Sequence, residues 1–195
     1  MPGDITISFD GQGLDDVMRL LRALPDQVQT RILNRVLNNV ATFARSNAVR
    51  QVNAEINLSQ ASIRRFTSIT RSNFSSLQSR VTITGEPIPL ILFRPSMLSN
   101  GLSLRVRRTG ARERLTESFI TNVGSNQNNL HTGIFRRRFN TSTGRRVGRL
   151  QIDERFGPSI PAVFQNNGIE ITVPASGQRI TNEANRQIEA YLRRF

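Results

Sequence analysis

The chain has no lysine, no cysteine and no tryptophan, and a single tyrosine and a single histidine among its 195 residues. Without cysteine there can be neither disulfides nor thiolate metal sites, which suits a reducing compartment or a particle assembled in one. The lone histidine, His131, sits in an Asn-rich stretch and reads as a surface loop residue. It leaves no His/Cys cluster for a metal ion, which needs three or four ligands. Nor does it stand beside a nucleophile, as a hydrolase would require. Asp153-Glu154 is the best carboxylate pair away from the helix starts. Neighbours in a strand point to opposite faces, so these two read as a solvated turn or an ion pair with Arg155. Gly11-Gln12-Gly13 precedes a helix, but no third glycine follows at dinucleotide spacing and no phosphate-loop lysine exists, so a plain loop is the better reading. No catalytic, cofactor or metal residues are therefore assigned. Long apolar runs are missing too: Pro89 to Phe93 falls far short of the ~20 residues of a membrane span. Asp4, Asp10, Asp15 and Asp16 all precede the first arginine, Arg19, which does not read as a signal peptide.

What is present is arginine. All 27 basic residues are arginines, against 14 acids, for a net charge of +13. Eleven fall in one stretch, at positions 105, 107, 108, 112, 114, 136, 137, 138, 145, 146 and 149, opposed there only by Glu113 and Glu117. Guanidinium is planar, always charged, and offers a fork of donors that matches carboxylate or phosphate edges. Three readings of this cluster stand side by side: a solvated basic face, a nucleic-acid-binding surface, or an assembly surface that meets carboxylates of other subunits. Against the second, aromatics suited to base stacking are sparse, with only Phe135 and Phe139 nearby, and no helix-turn-helix or zinc-finger pattern is visible. Hydrophobic residues make up 37% of the chain, below the usual share of roughly 45–50%, a figure that also counts glycine. A small core of this kind favours a subunit that finishes its burial against neighbours.

Periodicity places the elements. Ile5 to Phe9 alternates as a strand, and Leu14, Val17, Met18, Leu21 and Leu24 recur at helical spacing, with Asp15 and Asp16 in the first turn. Pro25 opens a longer helix that fades near Asn53, about 40 Å at 1.5 Å per residue. Val28, Ile32, Val36 and Val40 form its apolar stripe, widened by Leu33, Leu37, Ala41 and Ala44. Ser59 caps a short third helix containing Ile63 and Phe66. From Thr67 to Ser79 the chain is rich in Ser, Thr and Asn and reads as loop. Val81 with Ile83, Pro89 to Phe93, Leu104 with Val106, Phe119 to Val123, Gly133 to Phe135, and Ile169 with Ile171 and Val173 all read as strands. Gly124 to Asn129 and Phe139 to Gly148 read as polar loops, and Gly157 to Pro161 as a rigid turn. After Pro174 and Gly177 comes a terminal amphipathic helix through Ile180, Ala184, Ile188 and Leu192. The order argues one α+β domain over 1–195: a helical part, 1–66, with one long helix; a β-rich part with basic loops, 67–175, forming a small, mostly antiparallel sheet or partial barrel; and a C-terminal helix, 176–195.

Several segments, in order, carry a resemblance: Arg31-Ile32-Leu33-Asn34-Arg35-Val36, Ile63-Arg64-Arg65-Phe66, Ser103 to Arg108, Glu117-Ser118-Phe119-Ile120, Gly133 to Arg137, and Leu150 to Pro161 with its Gly157-Pro158-Ser159 turn. Together they resemble the minor tail protein Z and tail-completion family of long-tailed bacteriophages. The resemblance covers most of the chain. It departs from the family, whose members often use lysine too, in being lysine-free, and its Asn/Ser-rich stretches at 67–79 and 122–129 resemble insertions.

The resemblance implies a structural virion protein of the neck, assembled in the host bacterial cytoplasm. It would close the tail and join it to the head as a homo-oligomer, with a hexameric ring suiting a tail tube. Implied partners are a tail terminator or tail tube protein and the head–tail connector, with transient contact to genomic DNA in the lumen and none to membrane. On this reading Arg105, Arg107, Arg108, Arg136, Arg137, Arg138, Arg145, Arg146 and Arg149 face partners or DNA, and Val28, Ile32, Val36 and Val40 form the contact between copies. A lumen lined wholly with arginine would grip DNA too tightly for it to slide, so most of the cluster is expected to meet acidic protein surfaces. The alternative is a DNA- or RNA-binding protein of a mobile element that uses the same basic face.

Overall fold

The computed structural model describes residues 3–10, 15–124, 130–138 and 151–193. Strand β1 (Ile5–Asp10) leads to helix α1 (Asp15–Leu21), the long helix α2 (Asp26–Glu55) and the short helix α3 (Gln60–Arg64). Strands β2 (Thr67–Thr70), β3 (Gln78–Ile83) and β4 (Pro87–Pro89) follow, then a 3-10 turn at Leu90–Phe93. Next come β5 (Ser96–Leu98), β6 (Gly101–Leu104), β7 (Glu113–Leu115), β8 (Ser118–Val123) and β9 (His131–Arg137). The chain ends on β10 (Ile152–Glu154), β11 (Phe156–Ser159) and a second long helix, α4 (Ile160–Leu192). The fold is α+β.

Two antiparallel helices form its spine. Val28 to Arg35 of α2 lie beside Gln187 to Tyr191 of α4, while Glu55 and Ile56 lie beside Ala162 and Val163. Both helices repeat core residues every four positions. On α2 the row is Ile32, Val36, Val40, Ala44, Ala48 and Val52, all buried. On α4 it is Ile160, Phe164, Gly168, Thr172, Ser176, Ile180 and Ala184, also buried. Ridges of this spacing interdigitate in helix packing, and the small residues at mid-row let the two backbones approach. Asn39 donates to Glu183 at 2.8 Å and Arg179 lies over the Phe43 ring, which fixes the same alignment.

The strands form four small sheets among the described residues, all antiparallel: β1-β3-β2, β8-β9-β10, β4-β11 and β5-β6-β7. The first packs beside the N-terminal half of α2, where Val81 joins Val36, Leu37, Val17 and Leu21 in one core and Ser79 donates to the Leu37 carbonyl at 2.9 Å. The second core gathers the C-terminal half of α2, Ile63, Phe93, Leu104, Ile134 and Ile160. Strand β6 meets its neighbour at a tight corner: Gly101 has φ +122, and a Cβ there would collide with the Leu115 carbonyl.

Several expectations are corrected. Thr67–Thr70 is a strand, and the remaining Ser/Asn-rich loop is tied to α2 through paired hydrogen bonds between Asn38 and Ser72, at 3.1 and 2.9 Å. Leu90–Phe93 is a 3-10 turn with Leu90 and Phe93 buried, since Pro87 and Pro89 limit the preceding strand to a short edge. The basic strand stops at Leu104; residues 105–108 run on against the end of α2, joined to it by a single antiparallel bridge between Arg107 and Ile56. Gly157 to Pro161 is the end of β11 and the start of α4, capped by Ser159, which accepts from Ala162 N. Ile169, Ile171 and Val173 lie in α4, not a strand, and Pro174 sits inside that helix, which starts at 160 rather than 176. The Gly11-Gln12-Gly13 segment, Leu14 and the 139–148 loop lie outside the described residues.

Candidate functional site

Ile32, Val36 and Val40 are buried inside the chain at 4% accessibility or less, and Val28 is half-buried at the edge of the same cluster. The stripe expected to bind another copy is thus already covered, with α4 beside it. Sequence gave no means of seeing this, because a helix face covered from within and one covered from outside carry the same pattern. Large apolar groups do remain exposed elsewhere: Met97 and Leu98 on the edge strand β5, Phe156 on β11, and Ile169 and Val173 one turn apart on α4.

The arginine cluster divides into two places. Arg105, Val106, Arg107 and Arg108 are laced to the end of α2: Asn57 N donates to the Val106 carbonyl at 2.8 Å and Arg108 N to the Glu55 carbonyl at 2.9 Å. The Arg108 guanidinium donates through Nε to the Asn53 carbonyl at 2.6 Å, placing positive charge at the negative end of the helix dipole. Val106 is buried while Arg105 and Arg107 on either side point to solvent, the alternation the sequence suggested. Neither of those two guanidiniums has a described hydrogen bond or ion pair.

Arg136, Arg137 and Arg138, by contrast, are engaged within their own sheet. Arg136 reaches Glu117 at 3.4 Å, Arg137 lies over the Phe119 ring at 5.9 Å, and Arg138 holds Asp153 through two bonds of 3.0 and 3.1 Å. That hydrogen bond and the carboxylate charge raise the Arg138 pKa above its usual value. Asp153 therefore pairs with Arg138 rather than Arg155, and Glu154 bonds the His131 ring at 2.7 Å across from β10 to β9. His131 belongs to the start of a strand, not a loop. Arg145, Arg146 and Arg149 lie outside the described residues.

A third basic feature was missed from sequence. A cleft of about 410 Å³ lies between the start of α3 and the 3-10 turn, lined by Arg94, Arg108, Arg112, Ser59 and Ser62 over Leu58 and Phe93. Arg112 donates to Ser103 Oγ (3.0 Å), the Ser103 carbonyl (2.9 Å) and Ser96 Oγ (2.8 Å). Arg94 takes a left-handed backbone, φ 50, just before Pro95. The only signal in the sequence was an isolated arginine before a proline, and nothing local says that it will stand opposite Arg108 and Arg112.

Among the described residues the buried acid is Glu183, on α4. Burial pushes its pKa up, but hydrogen bonds from Arg186, Gln187 and Asn39 outweigh this and bring it from 4.5 to about 2. Its role is to tie α4 to α2. Among the described residues no group of His, Asp and Glu is arranged to hold a metal ion, and no helix is long and apolar enough to cross a membrane. The chain matches no protein-family model, no curated protein and no solved structure.

Proposed function

We propose that this chain is a structural subunit of a bacteriophage neck that completes the tail and joins it to the head connector as a ring of copies. What supports the reading is the ordered set of sequence segments that resembles, in outline, the tail-completion family. Its segments fall on α2, α3, β6 with the basic stretch beyond it, β8, β9 and the β11–α4 junction. Those after α2 supply Ile63, Leu104, Val106, Ile134 and Ile160 to one core, while the α2 segment supplies Ile32, Leu33 and Val36 to the other.

The surface supports a docking role. Arg105 and Arg107 are exposed on a backbone held rigidly against α2, which suits preorganised contact with carboxylates of a tail terminator, tail tube or connector protein. Contact between copies falls to the exposed apolar groups, Met97 and Leu98 on an unpaired strand edge above all, since such an edge offers both backbone hydrogen bonds and burial. Six copies would match the symmetry of a tail tube. The role is structural rather than enzymatic, and its place is the virion.

The test is removal of the gene from the phage that carries it. Expected are DNA-filled heads and separate tails, rejoined when the chain is supplied in trans, with the chain present in finished particles. Joined, infectious particles without it would overturn the reading. The exposed arginines also favour a second reading, a nucleic-acid-binding protein of a mobile element. Salt-sensitive retention of the purified chain on duplex DNA, with no chain in any particle, would select that one.

A further inference from the structure

The cleft between α3 and the 3-10 turn has a property the rest of the basic surface lacks. Arg94, Arg108 and Arg112 all line one concave space, and no acidic residue is among its described lining residues. Where they are fixed, they are fixed by neutral oxygens: Arg108 by the Asn53 carbonyl, and Arg112 by Ser96, Ser103 and the Ser103 carbonyl. None of the three takes part in a described ion pair. The Arg108 and Arg112 guanidiniums are therefore held in place with no acidic partner among the described residues, and Arg94 brings a third charge beside them. Arg94 adds a second sign of a built feature. It keeps an unfavourable left-handed backbone ahead of a proline, where a glycine would be relaxed. Ser59 and Ser62 place two hydroxyls, 2.9 Å apart, on the facing wall.

The geometry points to this cleft as the receptor for an acidic peptide segment of a partner protein. Carboxylates of that segment are gripped by Arg94, Arg108 and Arg112, with one of the two serine hydroxyls, the other being spent on the bond between them, as a further donor. A space of about 410 Å³ admits one or two side chains and their backbone. A DNA duplex suits it poorly, since the major groove, about 12 Å wide, takes a projecting helix or strand rather than facing into a recess of this size. Forked guanidinium–carboxylate bonds in a preorganised cleft give both affinity and orientation. The inference rests on the docking reading above for where the partner is found. Its test uses the purified full-length chain alone, so either can fail without the other.

The probe is a fluorescent peptide of alternating glutamate and serine, with the same peptide carrying glutamine as its control, followed by anisotropy. The glutamate peptide is expected to bind, weaken as salt rises, and lose about tenfold in affinity with Arg94→Gln, in line with loss of a charged hydrogen bond. Arg94→Gly removes the same charge while relaxing the backbone, so it gives the same loss with the fold intact by circular dichroism. Arg80→Gln, an exposed arginine on β3 outside the cleft, removes one charge too and is expected to leave affinity unchanged. Equal losses at Arg80 and Arg94 would reduce the cleft to general attraction by a +13 chain and overturn the inference. So would binding of the glutamine peptide as tight as that of the glutamate one, or a short duplex DNA that competes for the site and depends on Arg94 in the same way.

Discussion

Glu183 shows how one side chain locks two helices. Its carboxylate is 2% exposed and accepts from Asn39 on α2 and from Arg186 and Gln187 on its own helix. A carboxylate whose pKa is lowered on folding adds stability that is complete above its unfolded value and is lost as pH falls toward the folded one. The stability of this chain is therefore expected to drop between pH 4.5 and about 2 from this group, and Glu183→Ala is expected to flatten that part of the profile. At neutral pH the substitution is expected to cost about 2–3 kcal/mol, read by urea unfolding, because it strips three donors of their acceptor. Thr172, about three turns earlier on the same helix, is the opposite case. Its hydroxyl is fully buried and has no partner among the described residues. Thr172→Val keeps the shape and removes the unmet oxygen, so it is expected to raise unfolding stability by about 1 kcal/mol.

Helix α4 is the element that least resembles its sequence. Ile169, Ile171 and Val173 alternate as a strand does, and Pro174 and Gly177 follow as breakers, yet all lie inside one helix of 33 residues. The row at every fourth residue, Phe164, Gly168, Thr172, Ser176, Ile180 and Ala184, packs along α2, and that packing overrides the local preference. The proline removes the hydrogen bond its N–H would have made one turn back, a cost near ~3 kcal/mol in a helix interior. Because Pro174 faces solvent, Pro174→Ala is expected to recover much of this, with a rise in helical signal and a melting temperature several degrees higher. A fall in stability instead would mean that the ring at 174 fits a bend that the packing with α2 requires.

For the whole molecule, what matters is which charges remain available once the chain has folded. Arg136, Arg137 and Arg138 already have Glu117, Phe119 and Asp153, so a docking partner would have to displace or share those contacts. Arg105 and Arg107 have no such contacts. The double substitution Arg105→Gln with Arg107→Gln is expected to leave thermal stability within about 0.5 kcal/mol of the parent, as for surface changes away from any built feature. On the proposed neck role, the same variant is expected to lower the yield of joined particles in a complementation assay. Alanine at 136, 137 and 138 is expected to weaken the β8-β9-β10 sheet first, seen as faster proteolysis of the folded chain. If both variants join particles as the parent does, partner contact lies elsewhere, with the Arg94 cleft the next place to test.

Composition and periodicity determined the class of this protein. The missing cysteine, the all-arginine charge, the α2 stripe from Val28 to Val40, the Ser59 cap and the strand centres at 5–9, 119–123 and 133–135 were readable because each rests on neighbours in sequence. Only the tertiary structure decided what those patterns were for. It covered Ile32, Val36 and Val40 from within, carried α4 through a proline, gave one arginine group partners while leaving another without them, and assembled a cleft from positions 59, 94, 108 and 112. The physical reason is that burial, ion pairing and convergence depend on distance in space. A residue's own sequence neighbourhood fixes the face it presents, not the surface that face will meet.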